Sequence, residues 1–522
     1  MHETDAATRA VEPSTARLAE LIASLSLTTS LGMGQSMELG LRTGTLAVEL
    51  GRRLGLEPGD LSDVYYLALV MHIGCTSDSV EFAGYMGGDD IAFRERAILW
   101  PSSQPQEVLG EMVRRVGRGR PLLARARLVA GMFVHGRDRV RETVAAHCQA
   151  GSRLAERLGL SDGVRAGLLQ EQERWDGKGL PDGLKGGQLA IAKRVVSVAH
   201  DAVVLASRGM PVAEVLRSRA GRAYDPDVVD AFQMAGVGAA FDSGADAWAA
   251  GLAAEPEPLR KIGSSAIDRV ALACADFVDL KSPYLLGHST RVAEIAAGAA
   301  VAMGFSATER AEVRRAALLH DLGRVTVPNG IWDKPGGLGA QELERVRLHP
   351  YYTERILARS PLLARLAVIA GSHHENLDGS GYHRGVGAGQ LNRAARLLRA
   401  ADCLDAISSG RPHRPALPSD ERVKLLRAEV GSGRLDAEAV AAVAEAAGGG
   451  RLRLRPKRPS GLSEREVEVL RLLVHGLTNA EIGARLHVSP KTVGHHVQHI
   501  YDKAGVSSRA AAALFAMETG LI

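Results

Sequence analysis

The spacing of apolar residues along this chain is typical of α-helices. In segments such as 287–305, 311–323 and 393–407, apolar side chains recur three and four positions apart, which gives each segment one apolar face. Aromatic residues are only 4% of the 522 residues, and the abundance of alanine and leucine suits close helix packing. The pattern predicts an all-α protein with room for about three domains of ordinary size.

Several of these predicted helices carry histidine or aspartate residues near their ends. One helix begins near His288, and another ends at the doublet His320-Asp321, just before Gly323 as a C-terminal stop signal. The segment LLARLAVIAGSHHE ends in a second doublet. The whole set consists of His288, His320, Asp321, His349, His373, His374 and Asp402.

Imidazole nitrogens and carboxylate oxygens that converge from several helices are typical ligands of transition metals. The set is larger than one ion needs, and it suits a binuclear centre in which two ions share a bridging carboxylate. A metal-dependent hydrolase is therefore the first interpretation. Asp405 shares a helix face with Asp402, and the sequence leaves open whether it supports the centre or is an ordinary polar residue of that helix.

The motifs around these residues resemble a known signature. The stretches HDLGRVTVP, KPGGL, LHP, HHENLDGSGYH and AADCLDAISSGRPHR are similar to the HD-GYP signature of bacterial HD-superfamily phosphohydrolases, over residues 262–447. The resemblance implies an all-helical domain that hydrolyses cyclic di-GMP or a related nucleotide. It also implies a centre of two divalent transition metal ions, iron or manganese.

The resemblance implies a role for each ligand as well. One ion would be held by His288, His320, Asp321 and Asp402, and the other by His349, His373 and His374, with Asp321 bridging both. Asp321 would thereby be a catalytic residue. The family's glutamate ligand for a third ion would fall at Tyr284, which implies two ions rather than three.

Two residues depart from the family's pattern. A lysine that contacts substrate phosphate in the family is replaced by Arg324, whose planar guanidinium can also hold a phosphate oxygen and act in catalysis. The GYP motif ends in His383 instead of proline. Three hypotheses remain: a phosphodiesterase fused to a transcription regulator, a regulator that senses nucleotide or metal without turnover, and a hydrolase of another nucleotide. The retained ligand set favours the first.

The first half of the chain repeats the pattern of the second. The segment that begins at Glu173 aligns without a gap with the segment that begins at Glu375, and Asp176 then pairs with Asp378. The ligand positions of this first copy are occupied by Leu39, Met71, His72, His147, Glu171, Gln172 and His200, of which only His147, opposite His349, is unchanged. We therefore predict a degenerate HD-type domain over 36–245, after an N-terminal segment 1–35, that keeps the fold and has lost the chemistry.

The first copy also contains an insertion of roughly fifty residues before His147, which is long for a loop. A Gly-Gly-Asp-Asp sequence at 87–90 lies within it, and such a sequence most often forms a plain turn.

The pattern changes after a basic linker at 448–459. Capping boxes open two short helices at Ser463 and Thr478, and Pro490 begins a third helix. A short turn joins the second and third helices, which predicts a helix-turn-helix whose later helix enters the major groove. The stretch 460–522 closely resembles the LuxR-type DNA-binding domain, which implies a four-helix module that binds double-stranded DNA as a homodimer.

Polar residues of this module are candidates for DNA contact. Lys491, Thr492 and His495 face outward at the start of the third helix and could contact bases or phosphates. Lys503 and Arg509 suit phosphates, which position a protein on DNA without specifying sequence.

The remaining composition indicates a cytoplasmic protein. The chain has no run of about eighteen apolar residues that would span a membrane, and its polar first residues are unlike a signal peptide. Four scattered cysteines without a CxxC pair favour a reducing compartment. The net charge of +4 is too small to indicate nucleic-acid binding by itself.

Overall fold

The computed structural model confirms an all-α protein. The residues that it describes are 15–85, 88–98, 122–234, 246–448, 461–474, 477–506, 508–518 and 521. Most of the predicted linker 448–459, the beginning of the segment 1–35 and part of the insertion lie outside them. Over the described residues, the strands are one antiparallel pair, β1 (Ala16–Arg17) and β2 (Lys261–Ile262), and no helix is long and apolar enough to cross a membrane.

The described helices of the first half of the chain surround one almost completely buried helix, α1 (Leu18–Gly32), which lies in the N-terminal segment before the predicted start of the first repeat. The buried hydroxyls of this helix donate to its own carbonyls, as Thr28 does to Ser24 and Ser30 does to Ser26 at 3.0 and 2.9 Å. This local bonding lets polar side chains enter an apolar core. The other helices are α2 (Leu39–Arg53), α3 (Pro58–Val70), α4 (Ser79–Tyr85), α5 (Asp90–Ala97), α6 (Leu122–Arg157), α7 (Asp162–Leu169), α8 (Ile191–Ser207), α9 (Val212–Arg219), α10 (Pro226–Met234) and α11 (Ala247–Ala253).

The second repeat follows in the same order of elements. The helix predicted near His288 begins at that residue, and the helix predicted to end at the His320-Asp321 doublet ends at Leu319. A capping box between Ser306 and Glu309 begins the latter helix. The helices are α12 (Ser264–Asp279), α13 (His288–Ala302), α14 (Ala307–Leu319), α15 (Asn329–Trp332), α16 (Ala340–Arg347), α17 (His349–Leu357), α18 (Ala364–Gly371), α19 (Arg393–Ser408), α20 (Ser419–Ser432) and α21 (Ala437–Ala446).

The chain divides into two compact units whose bounds cut across the repeats. The first unit contains Met1–Gly287, Leu322–Leu338 and Arg355–Ala364, and the second contains His288–Asp321, Gly339–Glu354 and Arg365–Ile522. Within the first unit, α1 packs on α3 and on the 3-10 helix Leu322–Thr326. A part of the second repeat thus packs with the first, and the domain bounds predicted from the sequence stay predictions.

A close backbone approach joins the insertion of the first repeat to α15. The amide of Gly330 donates to the carbonyl of Gly88 at 2.8 Å. A Cβ on Gly330 would lie 2.4 Å from the Cα of Gly88, so only glycine fits at this contact.

The C-terminal module consists of α22 (Glu464–Val474), α23 (Asn479–Leu486), α24 (Pro490–Ala504) and α25 (Arg509–Glu518). Its core contains the buried side chains of Ile482 and Val493. The turn between α23 and α24 is tight, because a Cβ on Gly483 would lie 2.7 Å from the carbonyl oxygen of Val488. His487 makes the turn with a left-handed backbone, φ 56°. The predicted helix-turn-helix is therefore present.

Candidate metal centre

The predicted metal ligands all lie in the second unit, and all of them come together. They are buried except for His374, which is half-buried. Two of the ligands lie at helix starts, His288 in α13 and His349 in α17. The two doublets directly follow helices, His320-Asp321 after α14 and His373-His374 after α18. Asp402 lies in the middle of α19. Helix ends from distant parts of the repeat therefore converge on one point.

The Asp321 carboxylate lies between two pairs of imidazoles. Its Oδ2 is 3.3 Å from Nε2 of His288 and 3.2 Å from Nε2 of His320. Its Oδ1 is 3.4 Å from Nε2 of both His349 and His373. Each carboxylate oxygen thus faces its own histidine pair, which is the arrangement that a bridging carboxylate needs.

The other ring nitrogen of each imidazole is bonded away from the centre. Nδ1 of His320 lies 2.7 Å from the Ala317 carbonyl, and Nδ1 of His373 lies 2.6 Å from the Ala370 carbonyl. His349 makes the same contact with the carbonyl three residues before it, at 2.6 Å. Donation through Nδ1 leaves the Nε2 lone pairs toward Asp321, as metal ligation requires.

Asp402 and His374 complete the arrangement. Asp402 Oδ1 lies 3.4 Å from Nε2 of His288 and 3.9 Å from Nε2 of His320, so it joins the first histidine pair. Its Oδ2 lies 3.9 Å from Nδ1 of His374. The side chain of His374 is 17% exposed, more than those of the other predicted ligands.

The spacing of these side chains suits metal ligation better than hydrogen bonding among themselves. Within the described part of the chain, Nε2 of His288 and of His320 are buried and make no hydrogen bond. Bonds of about 2.0–2.2 Å from one ion to nitrogen and oxygen ligands place neighbouring ligand atoms about 3.0–3.5 Å apart. The separations around Asp321 lie in that range, and two groups of side chains, His288-His320-Asp321 and His349-His373-His374, each have the spacing of a metal site.

The electrostatics of the centre also suit cations. Burial lowers the pKa of His373 to about 4 and holds that of His374 well below its usual value, so both are neutral donors. Burial also lowers the pKa of His288, but Asp321 and the other nearby carboxylates raise it to about 10. The carboxylates therefore favour a positive charge at the position that the His288 ring faces.

Asp405 contacts one of the predicted metal ligands, which favours a supporting role over that of an ordinary polar residue of the helix. Its Oδ2 accepts a hydrogen bond from Nδ1 of His288 at 2.7 Å, and its Oδ1 accepts one from Nε of Arg291 at 2.6 Å. The carboxylate fixes the orientation of the imidazole and raises its basicity. In the sequence, this contact was indicated by the three-residue spacing that places Asp405 on the same helix face as Asp402.

The loop after the second doublet contains two residues whose roles the sequence did not indicate. The ring of Tyr382 stacks on that of His374 with centroids 4.8 Å apart. The buried carboxylate of Glu375 accepts hydrogen bonds from the amides of Arg384 and Val386 at 2.7 and 3.1 Å, and thereby shapes the loop. In the first repeat Glu173 does the same, so its alignment with Glu375 was a usable signal.

Arg324 and Tyr284 belong to the first unit. Arg324 lies in the 3-10 helix that follows Asp321, and its guanidinium is 4.7 Å from the ring centroid of Trp332. Tyr284, at the position of the family's third-ion glutamate, is 42% exposed. The peptide bond between Tyr382 and His383 is cis, as is the bond before the proline at the matching position of the first repeat.

The first repeat has ion pairs where the second has its predicted metal ligands. His147 Nδ1 lies 2.9 Å from Asp78 Oδ2, and its Nε2 lies 3.0 Å from Glu171 Oε2. The guanidinium of Arg94 donates to the same Asp78 at 2.6 Å. All four side chains are shielded from solvent, and Asp78 and Arg94 belong to the insertion or its entrance.

A second part of this network surrounds His72, which occupies the position of Asp321. Its Nε2 is 3.0 Å from Nε2 of His200, and its Nδ1 is 3.4 Å from Glu171. His200 in turn contacts Asp201 at 2.9 Å. These polar groups of the first repeat thus pair with one another, and the loss of metal chemistry there stays a prediction.

The candidate DNA-contacting residues divide into two kinds. Lys491, Thr492 and His495 are exposed along the first turns of α24, where the cap Ser489 accepts from the Thr492 amide at 3.1 Å. Lys503 instead binds the Glu466 carboxylate at 2.7 Å.

Arg509 has a partner within the module as well, because its guanidinium donates to the Leu477 carbonyl. Lys503 and Arg509 are thus held by other residues of the module, whereas the three residues at the start of α24 form an exposed polar row.

Comparison with known proteins places the chain in a family. The HD domain family matches residues 137–228 and 273–439, that is, parts of both repeats, and the family of bacterial regulatory proteins of the luxR type matches residues 460–516. The chain belongs to the HD-type phosphodiesterases with an HD-GYP domain, a class of metal-dependent phosphohydrolases, and it ends in a LuxR-type DNA-binding module.

Individual relatives agree with this assignment. The chain is 31% identical over 444 residues to the 3′3′-cGAMP-specific phosphodiesterase 3 of Vibrio cholerae serotype O1, which covers 84% of this chain and 96% of the relative. A cyclic di-GMP phosphodiesterase of Thermotoga maritima is 38% identical over 136 residues, 26% of this chain and 37% of the relative. These names favour the hydrolase hypothesis over a purely sensing one.

A solved structure shares the fold across both repeats. The crystal structure of a cyclic GMP-AMP specific phosphodiesterase of V. cholerae matches with a TM-score of 0.57 and 29% identity, over 83% of this chain and 98% of that one. The chain and that phosphodiesterase therefore share a fold over most of their lengths.

The buried network of the first repeat predicts a loss of stability at high pH. Burial lowers the pKa of His147, but Glu171 and Asp78 raise it to about 10, above its ordinary value of 6.5. Because the folded pKa is the higher one, the stabilisation is complete below about pH 6.5 and is lost as the pH rises through about 10. His147→Ala should lower the free energy of unfolding by roughly 3–5 kcal/mol at neutral pH, since it leaves buried carboxylates without their cation.

Chemical denaturation at several pH values measures this effect. The difference between wild type and His147→Ala should shrink from pH 7 to 10, and the exposed His413→Ala should behave as wild type. A difference that does not depend on pH would contradict a protonated His147.

Proposed function

We propose that the second repeat hydrolyses a 3′,3′-cyclic dinucleotide at a centre of two divalent metal ions, and that the C-terminal module binds double-stranded DNA. The observation that carries the first part is the position of Asp321, one oxygen of which faces His288 and His320 and the other His349 and His373. A carboxylate in that place can bridge two ions.

The ligands divide into two sets. One ion would be held by His288, His320, Asp321 and Asp402, and the other by Asp321, His349, His373 and His374. A mixture of imidazole nitrogens and carboxylate oxygens suits iron or manganese. Two such ions supply Lewis acidity toward a phosphate group and activate water at neutral pH.

The remaining residues of the site bind and orient the substrate. Arg324 would hold a non-bridging phosphate oxygen through its planar fork. The Tyr382 ring, already stacked on His374, would provide a flat surface for a nucleobase beside the centre. Asp405 keeps His288 in the orientation that its neighbours need.

The substrate class follows from the relatives together with this site. The relative that spans both repeats is named for 3′3′-cGAMP, and the shorter match from T. maritima is named for cyclic di-GMP. Both are cyclic dinucleotides with two phosphodiesters, so we assign the class to this chain and leave the preferred base to a direct comparison.

Metal content tests the centre without reference to activity. Protein purified anaerobically should contain about two transition ions per chain. Asp321→Ala should lose both, because its carboxylate serves both sets of ligands. Asp378→Ala, which removes an exposed carboxylate from the following loop, should retain them. Elemental analysis of wild type that finds no iron, manganese or zinc would refute the centre.

Hydrolysis tests the reaction and the role of Arg324. Metal-loaded protein should convert 3′3′-cGAMP or cyclic di-GMP to the linear dinucleotide, and His373→Ala should abolish this conversion. Arg324→Ala should lower kcat by about a hundredfold, as loss of a donor to developing charge does, whereas Arg324→Lys should retain most activity. The control is Arg365→Ala, an exposed arginine paired with Glu312. Binding of both nucleotides without cleavage would instead support a sensor.

For the DNA-binding module we propose that the exposed row at the start of α24, which consists of Lys491, Thr492 and His495, contacts base edges or phosphates in the major groove. Lys503 and Arg509 would contact phosphates only after leaving their partners in the module, so their contributions should be smaller. A homodimer on a two-fold site is the arrangement that modules of this kind use.

DNA binding by the full chain should weaken steeply with salt. Lys491→Ala should reduce the slope of log affinity against log salt by about one if this residue contacts a phosphate. Gln498→Ala, further along the same helix, should leave the slope unchanged. Footprinting on genomic fragments should show two protected half-sites. Protection that is absent from every fragment would exclude a regulatory role.

A further inference from the structure

One carboxylate of the insertion in the first repeat is wholly buried and belongs to no part of the proposed centre. Asp90 Oδ2 accepts a hydrogen bond from Nζ of Lys281 at 3.0 Å, and its Oδ1 accepts one from the amide of Asn329 at 2.7 Å. Asp90 is 0% exposed and Lys281 is 2% exposed. Both of its partners lie outside the first repeat, in or next to segments of the second.

The partners of Asp90 hold the start of α15. The amide of Asn329 is the first of that helix, and the next residue, Gly330, is bonded to Gly88 of the insertion at 2.8 Å. The side chain of Asn329 donates to Asp333 at 2.8 Å, and Ser282 donates to the same carboxylate at 2.5 Å. The insertion and the residues after α12 thus hold this short helix at both of its ends.

Helix α15 in turn holds Arg324. Trp332, its last residue, donates from Nε1 to the Arg324 carbonyl at 3.2 Å. The indole ring also lies 4.7 Å from the guanidinium carbon, a cation–π contact that fixes the side chain as well as the backbone. The orientation of Arg324 therefore depends on the position of Trp332.

We propose that Asp90 is a positioning residue for Arg324: it anchors α15, and Trp332 transmits that position to the guanidinium. The degenerate repeat would thereby contribute to phosphate binding at a site whose ligands it does not supply. This inference deepens the proposed function and rests on it where it assumes that Arg324 contacts phosphate.

The charge of Asp90 matters to this arrangement. Burial raises the pKa of the carboxyl, but Lys281 and Arg94 lower it more, so the group is ionised. A buried ion pair contributes little net stability compared with apolar packing, and its best supported use is to specify one arrangement over others. An anchor for a short helix is such a use.

Steady-state kinetics of the full chain test the anchor. Asp90→Ala should lower kcat/KM for the cyclic dinucleotide by about tenfold, within the range of coupling between residues in one network, and should leave metal content unchanged. Asp90→Ala combined with Lys281→Met removes both charges, so that no buried ion is left without a partner, and should have the same effect. Glu255→Ala is the matched control, because Glu255 is a buried carboxylate that binds Arg17 and Tyr66.

A double-mutant cycle distinguishes positioning from a general loss of structure. If Asp90 acts through Arg324, Asp90→Ala should have almost no further effect in an Arg324→Ala background. An equal tenfold loss in both backgrounds, or an equal loss from Glu255→Ala, would overturn the proposal.

Hydrogen exchange provides a measurement that does not depend on catalysis. Peptides that cover 324–333 should exchange faster in both Asp90 variants than in wild type or Glu255→Ala. If wild type does not cleave the nucleotide but the exchange result holds, the proposed function fails and the anchor stands. Unchanged exchange together with normal kinetics in the variants would refute the anchor while the proposed function stands.

Discussion

The second repeat depends on one carboxylate that is surrounded by imidazoles in a buried place. Asp321 lies 3.2–3.4 Å from Nε2 atoms of four histidines, and each oxygen faces one pair. Carbonyls at helix ends and Asp405 bind the opposite ring nitrogens, so every lone pair is directed inward. Such a set is unfavourable without cations, because electron pairs of the nitrogens and the carboxylate then face one another. It is favourable around cations, because both kinds of group can then coordinate an ion.

In the first repeat, other residues occupy the positions of the predicted metal ligands. His72 stands where the second repeat has Asp321, and Glu171 stands where it has His373. At these two positions the imidazole and the carboxylate are interchanged between the repeats. Protonated His147, which lies between Glu171 and Asp78, can therefore supply the positive charge that ions would supply in the second repeat. A proton and an arginine are sufficient to pair these groups, and the helical fold is kept.

Much of this could be predicted from the sequence, because ligand doublets and capping boxes are local signals. The helix ends at His288 and Leu319 agree with the prediction, and the structure brings the predicted metal ligands close together. Other contacts could not be predicted, since they join residues that are distant in the chain. The bond from Asp90 to Lys281 spans 191 positions, and the pairing of Lys503 with Glu466 depends on how helices pack in the module.

The two repeats should therefore respond differently to their surroundings. Metal that binds only the folded second repeat stabilises it in proportion to the logarithm of the free ion concentration, while the ion pairs around His147 join groups that all belong to the first repeat. On the alkaline side, this network loses strength when His147 loses its proton, far above neutral pH. The proposed anchor of Arg324 uses none of the predicted metal ligands, so its hydrogen bonds do not need bound ions. Such an anchor is a physical reason for the chain to retain a first repeat whose ligand positions have changed.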